Sequence, residues 1–249
     1  MRKFVASAVA LFATGCLTAA NAADIKLLTA VAVRSAVDVI LPDFERTSGQ
    51  KVTTIYGSAA SLKTRIDGGE SFDLAILTRT QVDDLAKNGK ALMGADLARS
   101  VMGFAVRAGA PRPDISTDEK LVAFLLGVKS IAHGDPALNP IALVYFDKMP
   151  AVMRIAEALK AKTIIGKPGE FPMLVAKGEA EIGLGMSSEI APVTGVEFVA
   201  LRPDNPATSV PFAVALATGA KDDGAARAFL AAIQTPAAKE VFKNKGMVP

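Results

Sequence analysis

Short apolar runs alternate along this chain with longer segments in which apolar residues recur at helical spacing. Residues 25–30 form the first run, and residues 33–46 follow it with Val33, Val37 and Ile40 on one helical face. Further apolar runs predict strands at residues 51–56, 73–77, 100–106, 129–132, 163–165, 181–185 and 209–217. Amphipathic patterns predict helices at residues 61–67, 81–88, 222–234 and 236–245, and within residues 141–160. This alternation is typical of an α/β fold on a largely parallel sheet.

Two of the predicted strands adjoin segments whose residues are typical of loops. A segment rich in glycine and proline follows residues 100–106, and a Pro-Asp-Asn-Pro break precedes residues 209–217. We therefore expect both strands to cross between two lobes, the first of residues 24–103 and 208–249 and the second of residues 104–207. Ligand pockets favour domain interfaces and the carboxyl ends of parallel strands, so a binding cleft is expected between the lobes.

The start of the chain is typical of a secretion signal. Two basic residues precede an apolar run at 4–12, which leads to an Ala-Asn-Ala cleavage motif at 20–22. The run is too short to span a bilayer, which takes about 20 residues. Cleavage near Ala22 or Ala23 removes residues 1–23 and leaves a periplasmic protein with no membrane span in the mature chain.

Cys16, the only cysteine, lies within this predicted signal. Residues 13–16 (Ala-Thr-Gly-Cys) loosely resemble a lipoprotein box, so lipidation of Cys16 is the alternative to its removal. A mature chain without cysteine has no disulfide, thiolate catalysis or cysteine-ligated metal. It keeps 26 of the 28 basic and all 25 acidic side chains, and no basic run or aromatic cluster indicates nucleic acid. We predict neither a metal nor a cofactor.

Several stretches carry a resemblance to a known family. They are residues 44–52 (FERTSGQKV), 57–62 (GSAASL), 72–76 (FDLAI), Asp135-Pro136 with Pro140, 177–183 (KGEAEIG) and 235–246. These stretches resemble the periplasmic molybdate-binding proteins of ABC transporters. The resemblance implies two Rossmann-like lobes joined by two crossing strands, the periplasmic-binding-protein type II fold. It also implies capture of a small anionic solute for an ABC transporter permease. We expect a monomer, because such a clamp must open and close.

The resemblance also indicates where the ligand lies. In that family a serine after the first strand, a serine after the second strand and a tyrosine after the last cleft strand hold the oxyanion. The matching positions here are Ala32, Ala59 and Met186, none of which carries a hydroxyl. A dehydrated anion without donors is costly. An organic carboxylate is therefore expected in preference to a molybdate-like oxyanion.

Two serines and one arginine are the candidate ligand donors of the first lobe. Ser58 and Ser61 lie in a strand-to-helix turn, where backbone N–H groups favour an anion. The alternative is that one of them only caps the helix. Arg34 follows the first strand, and its planar fork suits a carboxylate. The alternative for Arg34 is an exposed residue in the first turn of a helix.

The second lobe contributes His133, Asn139, Ile141, Met186 and Ser187 to the predicted ligand site. The histidine follows a predicted strand and can donate to an anion or move a proton near neutral pH. The alternative is a loop histidine with a satisfied hydrogen bond. On the same fold, an enzyme of the aconitate isomerase type is the rival to a binding protein. For that enzyme His133 is the candidate catalytic residue, with a cleft serine as the alternative proton carrier, and Arg34 holds a substrate carboxylate.

Overall fold

The computed structural model describes residues 24–92, 94–138, 141–167, 169–202, 205–220 and 223–249. The predicted signal peptide, its cleavage site and Cys16 lie outside these ranges. No helix within them is long and apolar enough to cross a membrane.

Nine strands form among the described residues. They are β1 (Asp24–Ala30), β2 (Lys51–Gly57), β3 (Leu74–Thr78), β4 (Ala95–Arg107), β5 (Ile131–Gly134), β6 (Thr163–Gly166), β7 (Ile182–Met186), β8 (Val196–Ala200) and β9 (Ser209–Leu216). Each strand predicted from an apolar run is present, while β4 begins five residues earlier than predicted and β8 was not predicted.

The helices lie between and after these strands. They are α1 (Arg34–Ser48), α2 (Ala59–Asp67), α3 (Arg79–Lys87), α4 (Asp118–Gly127), α5 (Ile141–Phe146), α6 (Pro150–Met153), α7 (Ala156–Lys160), α8 (Phe171–Lys177), α9 (Ser187–Ile190), α10 (Asp223–Ala232) and α11 (Pro236–Asn244). A 3-10 turn, Val31–Val33, connects β1 to α1. The helix predicted within residues 141–160 is three short helices, because Pro150 holds Met149 in an extended conformation and interrupts the pattern.

The strands pair in the order β2-β1-β3-β9-β4-β7-β5-β6, with β8 also paired to β4. The first half of β4, residues 95–101, pairs with β9. Its second half, residues 102–107, pairs with β7 and β8. One strand therefore belongs to both halves of the sheet, and the chain returns to the first half through β9. The mixed α/β fold is confirmed, whereas the lobe boundaries remain a prediction.

The strand and helix faces that were predicted to be apolar form the core of the first sheet half. Strand β3, which is parallel to β1 and antiparallel to β9, is buried over residues 74–77, as expected for a strand covered on both faces. Helix α1 buries Ala36, Val37, Ile40 and Phe44, the face expected from helical spacing. The ring of Phe44 meets the ring of Phe229 edge-on with centroids 5.0 Å apart, which packs α1 against α10.

Helices α4, α8 and α9 were not predicted, and physical reasons explain why α4 and α9 were missed. Helix α4 carries apolar residues around most of its circumference, so helical periodicity is weak, although Thr117 caps it by accepting from Lys120 N–H at 3.3 Å. Helix α9 has only four residues, fewer than a periodic pattern needs.

A buried hydroxyl cluster fixes α9 to the middle of β4. The Ser100 hydroxyl lies 3.1 Å from the Ser187 hydroxyl and donates to that of Ser188 at 2.9 Å. It also accepts from the Ser188 N–H at 3.1 Å, and Ser187 Oγ accepts from the Val101 N–H at 3.0 Å. All three serines are buried, so each bond lacks competition from water. The cluster holds the β7–α9 connection at the point where β4 passes from one sheet half to the other.

Replacing Ser100 by alanine removes the acceptor of the Ser188 N–H and a partner of two buried hydroxyls. We expect Ser100→Ala to lower the free energy of unfolding by about 2–3 kcal/mol, since a buried polar group left unpaired costs about 1–3 kcal/mol. Urea unfolding followed by circular dichroism measures the change. Ser71→Ala is the control, because Ser71 is exposed and makes no side-chain hydrogen bond among the described residues. Equal stabilities of the two variants would contradict the role given to the cluster.

Candidate functional site

The loops that follow β1 and β2 lie side by side. The two strands are parallel, with Ala30 opposite Gly57 at their carboxyl ends. Ala32 and Arg34 therefore follow one strand where Ser58 follows its neighbour. Ala32 is partly exposed in the 3-10 turn, and Arg34 opens α1. The structure thus brings the predicted ligand residues of the first lobe to one edge of the sheet.

Arg34 belongs to a three-residue cluster with Tyr56 and Asp38. The guanidinium carbon lies 4.3 Å from the centroid of the Tyr56 ring, a cation–π contact. Arg34 Nε lies 3.6 Å from Asp38 Oδ2, and the Tyr56 hydroxyl donates to Asp38 Oδ1. Burial, followed by the Asp38 carboxylate, raises the pKa of Tyr56, so its hydroxyl stays protonated and remains a donor. Tyr56 was not predicted as a site residue, although its place at the end of β2 is visible in the sequence.

The cluster leaves one edge of the Arg34 guanidinium available. The Arg34 side chain is 57% exposed, and its two Nη groups have no protein partner among the described residues. The ring contact and Asp38 restrain the side chain, while the Nη fork can still meet a carboxylate from solution. Arg34 places a positive charge in the first turn of α1, where the helix dipole disfavours a cation. Asp38 partly balances this charge and so offsets the unfavourable interaction.

The β2–α2 turn uses both of its serines to form the helix start. Ser58 Oγ accepts from the Ser61 N–H at 3.1 Å and so caps α2. The Ser61 hydroxyl donates to the Ser58 carbonyl at 2.9 Å. Ala59 is buried in the first turn of α2 and contributes no polar atom. The capping alternative is therefore present, and a ligand role for these residues stays a prediction.

In the second sheet half, His133 lies near the carboxyl end of β5. It is buried, and its Nδ1 lies 2.8 Å from the Gly134 carbonyl oxygen. If Nδ1 carries the proton in this contact, Nε2 remains an acceptor. Burial raises the pKa of Asp147, which follows α5, and the charge of His133 opposes that rise. The two groups are thus within electrostatic reach of each other.

The remaining predicted residues lie in the loops beside His133. Strands β5 and β7 are parallel neighbours, with Ala132 opposite Gly183, so their carboxyl ends share one edge. Met186 ends β7 and is buried, and Ser187 makes the buried hydrogen bonds to β4 described above. Ile141 begins α5. Asn139 lies outside the described residues.

Glu189 is a carboxyl near the end of β7 that was not among the predicted site residues. Its Oε2 accepts from the Met186 N–H at 3.0 Å, so the side chain folds back to the end of β7. Burial raises its pKa, and the Met186 N–H opposes that rise. The sequence Met-Ser-Ser-Glu suggests only a helix start; the burial that perturbs the carboxyl is not visible there.

The loops of the two sheet halves meet through α9, which contacts the 3-10 turn after β1. Arg34 and Glu189 therefore belong to loops that adjoin. Within the described ranges, no group of three His, Cys, Asp or Glu side chains is arranged to hold a metal ion.

Two cavities lie elsewhere, at the start of the second crossing. One of about 680 Å³ opens between residues 112–116 and β8, and one of about 280 Å³ opens beside residues 148–151. Both are lined by Arg202 and Asn205, and none of the predicted site residues lines either. They are separate from the edge that carries Arg34 and Met186.

Comparison with known proteins gives relatives over almost the whole chain. It is 25% identical to an aconitate isomerase of a Pseudomonas species over 97% of this chain and 94% of that protein. It is also 25% identical to the molybdate-binding protein ModA of Escherichia coli K12, over 97% and 95% of the two chains.

Solved structures share the fold at low sequence identity. The Azotobacter vinelandii periplasmic molybdate-binding protein is 16% identical, with a TM-score of 0.66 over 90% of this chain and 99% of that one. Iron-bound HitA from Pseudomonas aeruginosa is 12% identical, with a TM-score of 0.69 over 91% and 86%. These neighbours confirm the predicted fold type.

A family model described as bacterial extracellular solute-binding protein matches residues 25–248. The match covers both sheet halves and the loops between them, and the relatives confirm the resemblance to molybdate-binding proteins. The chain therefore belongs to the bacterial extracellular solute-binding protein family.

Proposed function

We propose that this protein binds a small organic carboxylate between the loops of its two sheet halves and delivers it to an ABC transporter permease in the periplasm. The family supplies the general role, solute capture for transport. The Arg34 cluster is the observation that supports a carboxylate as the solute. Closure of two lobes over the anion is the expected mechanism, since α9 and the 3-10 turn after β1 already adjoin.

The geometry of Arg34 favours a planar carboxylate over a tetrahedral oxyanion. With Nε turned to Asp38, the two Nη groups form a fork that matches the two oxygens of a carboxylate. Because Asp38 balances the charge of Arg34, the cluster discriminates between anions by the direction of the Nη donors rather than by net charge. A tetrahedral oxyanion needs donors from several sides, and Ala32, Ala59 and Met186 provide no hydroxyl at the matching positions.

We expect citrate, cis-aconitate or trans-aconitate to stabilise the purified protein against thermal unfolding. Molybdate, tungstate, sulfate and phosphate should give little or no shift. A ligand at about 100 times its Kd adds about 2.7 kcal/mol to the free energy of unfolding, which a thermal shift detects. A shift with molybdate or tungstate alone would contradict the carboxylate proposal.

Variants of Arg34 test the fork itself. We expect Arg34→Ala to weaken carboxylate binding at least about tenfold, because a charged hydrogen bond contributes about 1.5–3 kcal/mol. Arg34→Lys should recover only part of the affinity, since lysine keeps the charge but lacks the planar fork. Isothermal titration calorimetry gives the Kd values. Arg46→Ala is the matched control on the same helix, because Arg46 is 71% exposed and pairs only with Asp43 among the described residues. Unchanged affinity in Arg34→Ala would remove Arg34 from the site.

A second candidate function is isomerisation of an unsaturated tricarboxylate on the same site. It is favoured by the similarity to a Pseudomonas aconitate isomerase over 97% of this chain. In such a reaction one carbon loses a proton, the double bond shifts, and the former alkene carbon gains a proton. His133 is the candidate proton carrier, because its second ring nitrogen has no hydrogen-bond partner among the described residues.

Proton NMR of trans-aconitate in deuterium oxide separates capture from isomerisation. Under the second candidate, the protein converts trans- to cis-aconitate and places deuterium on the product carbon. His133→Gln should then abolish conversion and leave the thermal shift by trans-aconitate in place, because glutamine cannot carry the proton. Asp147→Asn, which removes a carboxyl within electrostatic reach of His133, should slow conversion less. A thermal shift without conversion by the unmodified protein would contradict the isomerase and leave capture.

A further inference from the structure

Glu189 presents one carboxyl oxygen that no protein group uses. Its Oε2 accepts the Met186 N–H, as a glutamate in the first turn of a helix commonly does. Its Oε1 has no hydrogen-bond partner or ion pair in the part of the chain that the structure describes. The side chain is nevertheless only partly exposed. An oxygen without a partner in a crowded position is available to a bound ligand.

The surroundings of α9 place Glu189 near the proposed cargo site. Helix α9 contacts β4, β7, β8 and the 3-10 turn Val31–Val33 that precedes Arg34. The turn belongs to the first sheet half, whereas α9 belongs to the second. Glu189 therefore lies where the two sets of loops adjoin. Arg34 follows directly after the facing turn, at the start of α1.

No cation holds Glu189 in its ionised form. Four elements packed against α9, the first residue of α1, and the chain end after α11, whose Gly246 lies against Ser187 and Ala191, carry the nearby charged side chains: Asp96, Arg99, Arg107, Glu197, Arg34 and Lys245. None of them forms an ion pair with Glu189. Three are engaged elsewhere: Asp96 with Arg79, Glu197 with the Gly109 N–H, and Arg34 with Asp38. Burial is the main influence on the Glu189 carboxyl, and it raises the pKa.

The protonation state decides what this group does to an anion. An ionised carboxylate only accepts hydrogen bonds and repels a second carboxylate. A protonated carboxyl is a donor, and its O–H···O⁻ bond to a carboxylate is short and strong. Such a donor compensates for the hydroxyls absent at Ala32, Ala59 and Met186.

We propose that Glu189 binds the cargo as a protonated carboxyl that donates a hydrogen bond to a cargo carboxylate, so that capture is coupled to retention of one proton. This inference rests on the proposed capture of a carboxylate. Arg34 then holds one end of the cargo through its fork, and Glu189 holds an oxygen from the opposite loop. Binding weakens when rising pH removes the proton from Glu189.

The test compares trans-aconitate binding by the unmodified protein and by Glu189→Gln between pH 5 and pH 9. Glutamine keeps the shape, can accept the Met186 N–H and donates through its amide at every pH. We expect the affinity of the unmodified protein to fall towards high pH by up to about tenfold per pH unit once Glu189 ionises. Glu189→Gln should lack this fall and bind more tightly at pH 9. Because both proteins meet the same trans-aconitate, the ratio of their Kd values cancels titration of the ligand.

Glu45→Gln is the matched control, since Glu45 Oε1 also accepts a backbone N–H, that of Val52 at 2.9 Å, but lies at the far end of α1. It should keep the pH profile of the unmodified protein. Identical profiles for the unmodified protein and Glu189→Gln would overturn the role of Glu189 and leave carboxylate capture standing. No binding of trans-aconitate, cis-aconitate or citrate at any pH would overturn both proposals.

A measurement without cargo tests the protonation itself. A glutamate whose pKa is raised on folding binds more protons in the folded than in the unfolded state. The free energy of unfolding of the unmodified protein should therefore fall, relative to Glu189→Gln, as pH rises above the ordinary glutamate value of 4.5. Urea unfolding from pH 4.5 upward measures the difference. A difference that stays constant with pH would show that Glu189 is ionised in the folded protein and would overturn the proposal.

Discussion

The shared strand β4 is the constraint on which the geometry of the site depends. Its first half pairs with β9 and its second half with β7 and β8, so a shift of this strand moves both sheet halves. At its midpoint, Ser100 holds Ser187 and Ser188 through buried hydrogen bonds. Those bonds set where α9 begins, and α9 carries Glu189 next to the turn that precedes Arg34. The position of Glu189 therefore follows from packing far inside the molecule.

The fold was predictable because each apolar run corresponds to a strand, and the central strands β3 and β9 are largely buried. Residues 74–77 are apolar because β3 is buried over this stretch, and the α1 pattern marks the face that meets the core. The site was only partly predictable. Arg34 was predicted as a ligand donor because it follows the first strand and because its planar fork suits a carboxylate. The function of Ser187 in the buried cluster depends on Ser100, 87 residues away, and no local pattern shows that contact. Glu189 was missed because burial, rather than residue type, makes it unusual.

In both halves of the proposed site, the charge of the ligand-binding group is neutralised. On one loop, Asp38 balances Arg34 and Tyr56 donates to Asp38, so the cluster is neutral overall. On the facing loop, a proton neutralises Glu189. A neutral site with fixed donors attracts anions weakly at long range but discriminates between them at contact, because each donor requires an acceptor at a fixed position. A planar carboxylate meets that requirement with fewer donors than a tetrahedral oxyanion, whose oxygens point in four directions.

The same arrangement bears on whether such a site stops at binding or goes on to chemistry. Proton-transfer enzymes also use groups of these kinds: a protonated carboxyl such as Glu189, a carboxylate held by an arginine, and a histidine such as His133 within electrostatic reach of a carboxyl. They differ in which of their atoms are free to transfer a proton to a bound solute. Glu189 already uses one oxygen for the Met186 N–H and donates through the other, so a hydrogen bond to cargo occupies its only proton. His133 keeps a ring nitrogen that carries no structural bond among the described residues. Isomerisation on this scaffold therefore depends on His133 reaching the allylic carbon, whereas capture requires only that the loops carrying Arg34 and Glu189 close on the two ends of the solute.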